Sequence, residues 1–141
     1  MKQPHPSELA ESLREFAMSL VRDAPQSTLS RTAAATLSVL ERHGPQRITT
    51  LAEHESVSQP AMTGLVQRLE HSGLVTRRPD PVDGRATLIA ITEVGAKQLR
   101  DRRQGHDAAI AARLDRLSPY DRAMLAAAAP AIASLTEPHV L

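Results

Sequence analysis

Apolar positions in this chain keep a helical spacing over most of its length and change to a strand-like run only once. Leu9, Leu13, Phe16, Ala17 and Leu20 recur every three or four residues, which predicts an amphipathic helix over residues 7–21. Ser7 is its expected N-cap, with Glu8 and Glu11 at the positive helix start. Residues 23–27, DAPQS, interrupt the pattern. A second helix is expected from about Ser30 to His43, through Ala33, Leu37 and Leu40, with a stop at Gly44-Pro45. Thr49 or Thr50 can cap a short third helix carrying Leu51 and Ala52, and Glu55-Ser56-Val57 reads as a tight turn. Ser58 caps the next helix, with Pro60 in the first turn, where a missing N–H costs little. Met62, Leu65, Val66 and Leu69 form the apolar stripe of that helix, and Gly73 suits its C′ position.

The period then changes. Residues 74–78 and 87–91 read as two strands, with Asp83-Gly84 supplying the turn chemistry between them. A lone hairpin is marginal in water, so it should pack on the helices before it. Thr92 caps a long helix that reaches about Leu117, with a weak apolar pattern around Arg100, Arg102, Arg103 and His106. Ser118-Pro119 opens a last helix through Leu125, Ala128, Ile132 and Leu135, where Pro130 should introduce a kink. A helix-turn-helix followed by a hairpin is the order of a winged helix. The expected fold is mainly α with a small β-hairpin wing: a winged helix-turn-helix at about 30–91, with helices over 7–21 and 93–136 available for dimerisation. All 141 residues are expected to form one domain.

Composition narrows the function classes. The chain has no cysteine, which excludes disulfides, thiolate metal sites and thiol-based redox sensing. No apolar run approaches a membrane span, and MKQPHPSELAESL lacks the apolar segment of a signal peptide, so a cytoplasmic protein without a membrane role is expected. His43, His54, His71 and His106 show no ligand spacing, so no metal is expected, and no cofactor either. No nucleophile elbow, phosphate-binding glycine loop or HExxH motif is present, so the chain does not read as an enzyme. Net charge is only +1. Within residues 44–91, Arg47, Arg68, Arg77, Arg78 and Arg85 are balanced by Glu53, Glu55, Glu70, Asp80 and Asp83. An argument for nucleic acid must therefore rest on where charges sit, not on their sum.

The stretch LAEHESVSQPAMTGLVQRLEHSGLVTRRPDPVDGRATLIAITEVGAKQL resembles the MarR family of bacterial transcriptional regulators, most specifically in DPVDGRA followed by ITEVG. The helix order matches along the whole chain, but tight motifs lie only within about residues 46–99. Glu55 and Ser56 depart from the family, which commonly has an apolar residue and a glycine there. The resemblance implies a dimeric DNA-binding protein whose terminal helices form the dimer interface, often a repressor released by a small organic ligand. The ligand site is not assigned.

On this reading Ser58, Gln59, Pro60, Thr63 and Gln67 form the face that meets the major groove, where Gln, Ser and Thr can contact base edges. Arg68, Arg77 and Arg78 lie where phosphates would pass, and only one of the last two should point outward if the strand alternates. Arg85, just past the turn, would enter the minor groove, whose narrow form concentrates negative potential. Asp83 is read as orienting Arg85, a pairing the resemblance supports, and Asp80 would repel DNA unless it holds an arginine. The expected partners are double-stranded DNA with a palindromic operator, a second copy of the chain and a small organic effector. The alternative is a winged-helix module that binds protein instead of DNA; it should expose an apolar patch where this chain places arginine and a polar helix face.

Overall fold

The computed structural model describes residues 4–136. Six helices and one hairpin follow in the order α1 (Pro6–Arg22), α2 (Arg31–His43), α3 (Ile48–His54), α4 (Gln59–His71), β1 (Val75–Pro79), β2 (Thr87–Ile91), α5 (Glu93–Leu114) and α6 (Pro119–Ser134). The described residues form two compact units, one of residues 26–105 and one of residues 4–25 with 106–136. Among the described residues no helix is long and apolar enough to cross a membrane.

The unit of residues 26–105 is a winged helix. Leu37, Leu40, Leu51, Met62, Val66 and Ile89 are wholly buried, so α2, α3, α4 and β2 each contribute to one core. The expected stripe of α4 is the buried one: Met62, Leu65, Val66 and Leu69. β1 and β2 pair antiparallel, with Val75 opposite Ile91 and Arg77 opposite Ile89. Gln46 adds a bridge on the outer edge of β2, exchanging two backbone bonds with Ile89 at 2.9 and 2.7 Å. The hairpin is thus held on the helical body by backbone pairing as well as by the burial of Val75 and Ile89.

Several boundaries differ from the sequence reading. α1 begins at Pro6 because His5, not Ser7, is its N-cap: the His5 ring accepts the Ser7 N–H, and Glu8 returns a bond to the His5 N–H. α3 begins at Ile48 behind Arg47, which makes no side-chain cap bond; neither Thr49 nor Thr50 caps it. β1 is shifted one residue, to Val75–Pro79. The hairpin does not use a two-residue Asp-Gly turn. A loop from Asp80 to Ala86 joins the strands, closed by Asp80 N–H to the Ala86 carbonyl at 3.0 Å. Gly84 is not in the left-handed region. α5 ends at Leu114, three residues short of the expected Leu117, because Arg116 and Leu117 bond three residues back to Arg113 and Leu114. α6 continues through Pro130.

Thr92 locks the start of α5. Its hydroxyl donates to the Gly73 carbonyl at 2.6 Å and accepts the Gly95 N–H at 3.1 Å, while its own N–H bonds the Leu74 carbonyl.

The other unit contains α1, the end of α5 and α6. Arg113 ties α5 to α1, donating to the Ser19 hydroxyl at 2.7 Å and pairing with Asp23 at 3.2 Å. No residue of α1 or α6 is buried, and Leu9, Leu13, Phe16, Met124, Leu125 and Ile132 are exposed.

Candidate nucleic-acid interface

The helix-turn-helix presents α4 by a turn with one unusual residue. α3 ends at His54 with Glu55 as its C-cap; Ser56 then takes φ +53, and Val57 N–H bonds back to the Ala52 carbonyl. This left-handed conformation is ordinary for glycine and costly for other residues. Ser58 follows as N-cap of α4, its hydroxyl accepting the Ala61 N–H at 3.2 Å. Burial of Met62, Leu65, Val66 and Leu69 turns the opposite side of α4 outward. Ser58, Gln59, Pro60 and Gln67 are exposed and Thr63 is half-buried. Ser58 is thus occupied as a cap, while the exposed Gln59 and Gln67 amides make no hydrogen bond among the described residues.

Within residues 44–91 two ion pairs form, which leaves Arg68, Arg78 and Arg85 against Glu53, Glu55 and Asp83 without an ion pair among the described residues. Arg77 pairs with Glu70 at 3.1 Å, and Arg47 pairs with Asp80 at 2.6 Å. Arg68, Arg78 and Arg85 are exposed and have no ion pair or side-chain hydrogen bond among the described residues. Strand register puts Arg77 on the face of Val75 and Ile89 and Arg78 on the other. Both are exposed nonetheless: Arg77 lies at the edge of the core face and turns its guanidinium to Glu70.

The wing loop is built on two aspartates. Asp80 Oδ1 accepts the N–H groups of Val82 and Asp83 at 2.9 and 3.5 Å. Asp83 Oδ1 accepts the backbone N–H of Arg85 at 3.1 Å. Asp83 therefore holds the chain at Arg85 through the backbone N–H, and among the described residues it makes no ion pair with the Arg85 guanidinium. At the wing the arginine whose side chain an aspartate holds is Arg47, and the aspartate is Asp80. Its hydrogen bond to Arg47, chiefly, and then the Val82 N–H hold the Asp80 carboxyl below the usual carboxylate value, against the opposing effect of burial. Asp80 thus stands as a paired carboxylate, not as a bare charge facing DNA.

Arg47 was missed as a site residue because its partner lies 33 positions away. One local signal existed: an arginine stands where a helix start favours Ser, Thr, Asp or Asn. Behind α4, a hollow of about 250 Å³ is lined by Ser30, Thr32, Val57, Ala61, Leu65 and Arg68, among others. The outward side of α4 is polar, and Arg68 on α4 with Arg78 and Arg85 on the hairpin are exposed. No exposed apolar patch occupies α4.

Comparisons with known proteins agree with this geometry. The family model described as MarR family matches residues 29–87. An HTH-type transcriptional regulator of Mycobacterium tuberculosis is 30% identical over 131 residues, covering 93% of this chain and 92% of that protein. The HTH-type transcriptional repressor NicR of Pseudomonas putida is 39% identical over 64 residues, covering 45% of this chain and 40% of that protein. The crystal structure of RV1404 from Mycobacterium tuberculosis superposes with a TM-score of 0.77 at 24% identity, covering 98% of this chain and 99% of that one.

Proposed function

The chain belongs to the MarR family of transcriptional regulators, and from that premise we propose that it is a homodimeric repressor that binds a palindromic operator and is released by a small organic ligand. It is a regulator and not an enzyme. The observation that carries DNA binding is where exposed arginines stand without an ion pair among the described residues: Arg68 on α4, behind its polar face, and Arg78 and Arg85 on the hairpin, with Glu53, Glu55 and Asp83 as the acids left beside them in sequence. Gln59, Thr63 and Gln67 would read base edges in the major groove, with Ser58 and Pro60 at the leading end of the helix. Arg68 and Arg78 would meet phosphates, and Arg77 would do so by exchanging Glu70 for one. Arg85 would enter the minor groove from the wing.

The dimer is supported by α1 and α6, whose apolar side chains are exposed in the single chain. Burying each large one is worth roughly 1.5–3 kcal/mol, enough together to favour a second copy over water. Two copies related by a two-fold axis would place two recognition helices about 34 Å apart, one turn of DNA, which is why the operator should be palindromic. Release by a ligand is supported by the hollow behind α4, where an organic anion would engage the Arg68 guanidinium that otherwise meets a phosphate. The repressor NicR lends its sign to the proposal.

The test is selection of duplexes from a randomised pool by the purified protein, with analytical ultracentrifugation at micromolar concentration. The expected result is an enriched palindrome bound by a dimer. Failure to enrich any duplex at low salt overturns the DNA reading, and a monomer that binds the selected palindrome tightly overturns the dimer.

A further inference from the structure

We propose that Arg47, at the start of α3, is a positioning residue for the wing, holding through Asp80 the loop that carries Arg85. The consequence for DNA rests on the function proposed above; the geometry does not. Arg47 Nε and Nη2 both donate to Asp80 Oδ2, at 3.1 and 2.6 Å. That leaves Oδ1 for the N–H groups of Val82 and Asp83. One oxygen faces the helical body and the other organises the loop. Asp83 repeats the device one step on: Oδ1 accepts the Arg85 N–H and its carbonyl accepts the Ala86 N–H at 2.9 Å. A hydrogen-bonded path therefore runs from α3 to the backbone of Arg85.

Two further observations fit a dedicated tie. Arg47 occupies the N-cap position of α3 without making a cap bond, so its side chain is committed elsewhere. Asp80 is buried although the residues after it, 81–85, are exposed, so the foot of the wing is anchored while its tip is free. An arginine suits this role better than a lysine, since a planar fork fixes direction as well as charge. Without Arg47 the Asp80 carboxylate would stand unpaired at the foot of the wing, and the loop would lose its side-chain link to α3.

The experiment is a double-mutant cycle on the duplex selected by the wild-type protein. Affinities of wild type, Arg47→Ala, Arg85→Ala and the double variant are read by fluorescence anisotropy. Backbone amide exchange at Val82, Asp83 and Arg85 is followed by NMR without DNA. We expect Arg85→Ala to weaken binding about tenfold or more in the wild-type background. In the Arg47→Ala background the same change should cost less than about threefold, because the arginine is no longer aimed. Protection at Val82 and Asp83 should fall in Arg47→Ala while protection within α4 stays, and Arg47→Lys should recover only part of both losses. Equal costs of Arg85→Ala in the two backgrounds would make Arg47 at most a separate phosphate contact and overturn the inference. Unchanged amide protection would overturn it as well. If Arg47→Ala does not fold, Arg47→Lys and Asp80→Asn carry the same cycle. A wild-type protein that selects no duplex defeats the DNA reading, and the amide measurement still decides whether Arg47 orders the wing.

Discussion

Gly95, in the first turn of α5, lies so close to the Leu74 carbonyl oxygen that a side-chain carbon there would overlap it, and the same carbon would meet Ile91 Cγ1 at 3.1 Å. The Leu74 carbonyl already accepts the Thr92 N–H, so it is held where it is. This contact explains the glycine in the ITEVG segment: the helix start must press on the turn that opens the hairpin. Gly95→Ala would gain about 1 kcal/mol of helix propensity. The overlap is with backbone, which cannot rotate away, so a net loss of roughly 1–3 kcal/mol is expected. Urea unfolding of the variant checks it; a midpoint at or above wild type would mean the segment shifts freely.

Ser56 offers the opposite change. Its φ of +53 costs a non-glycine residue roughly 1–2 kcal/mol, and glycine repays part of that in unfolded-chain entropy. Ser56→Gly should stabilise the protein by about 0.5–1 kcal/mol. Thermal unfolding measures this, and a β-branched residue at the same place should lower the transition instead.

Thr36 is wholly buried in α2, and its hydroxyl has no hydrogen-bond partner among the described residues. Burying such a group unpaired costs about 1–3 kcal/mol. Thr36→Val keeps the branched shape and removes the orphan oxygen, so unfolding in urea should move to higher concentration by the equivalent of roughly 1 kcal/mol. A destabilised Thr36→Val would show that the hydroxyl has a role in the native state.

The Arg47–Asp80 pair makes wing order depend on acidity. Because the folded-state value of Asp80 is depressed, the unfolded chain takes up this proton at a higher pH than the folded one. The stabilisation is therefore complete above the ordinary aspartate value of 3.8 and is lost as pH falls from there through the folded value. Amide exchange at Val82 and Asp83 should accelerate over that acidic window after correction for intrinsic rates. Asp80→Asn should remove the pH dependence while lowering protection at neutral pH.

Operator binding should be steeply salt dependent and should need the wing arginine. If a dimer contacts roughly six phosphates, log K should fall with log salt at a slope of about −5. Arg85→Ala should weaken binding by roughly 1–3 kcal/mol without unfolding the protein, since the side chain is exposed. Asp83→Ala should cost less, because it loosens the backbone at Arg85 and leaves the guanidinium in place. Anisotropy titrations at several salt concentrations supply both numbers, and a flat salt response would remove phosphate contacts from the mechanism.

What the sequence determined by itself is what neighbouring residues can encode. Met62, Leu65, Val66 and Leu69 lie within two helical turns, so their spacing alone names the buried side of α4 and, by exclusion, the outward face of Gln59 and Gln67. The change from helical period to a short apolar run marks the hairpin in the same way, and Ser58 and Thr92 are the caps the sequence named, because capping is a contact across three residues. Tertiary structure decided the rest, because it depends on which distant groups meet. His5 replaced Ser7 as a cap through a reciprocal bond with Glu8, a competition that residue preference alone does not rank. Gln46 joined β2 from a segment with no strand pattern, since a single bridge needs only one exposed edge. Above all, a sequence tally of five arginines against five acids is silent on pairing. Folding brought Arg47 to Asp80 and Arg77 to Glu70, and so left Arg68, Arg78 and Arg85, with Glu53, Glu55 and Asp83, as the charges without an ion pair among the described residues.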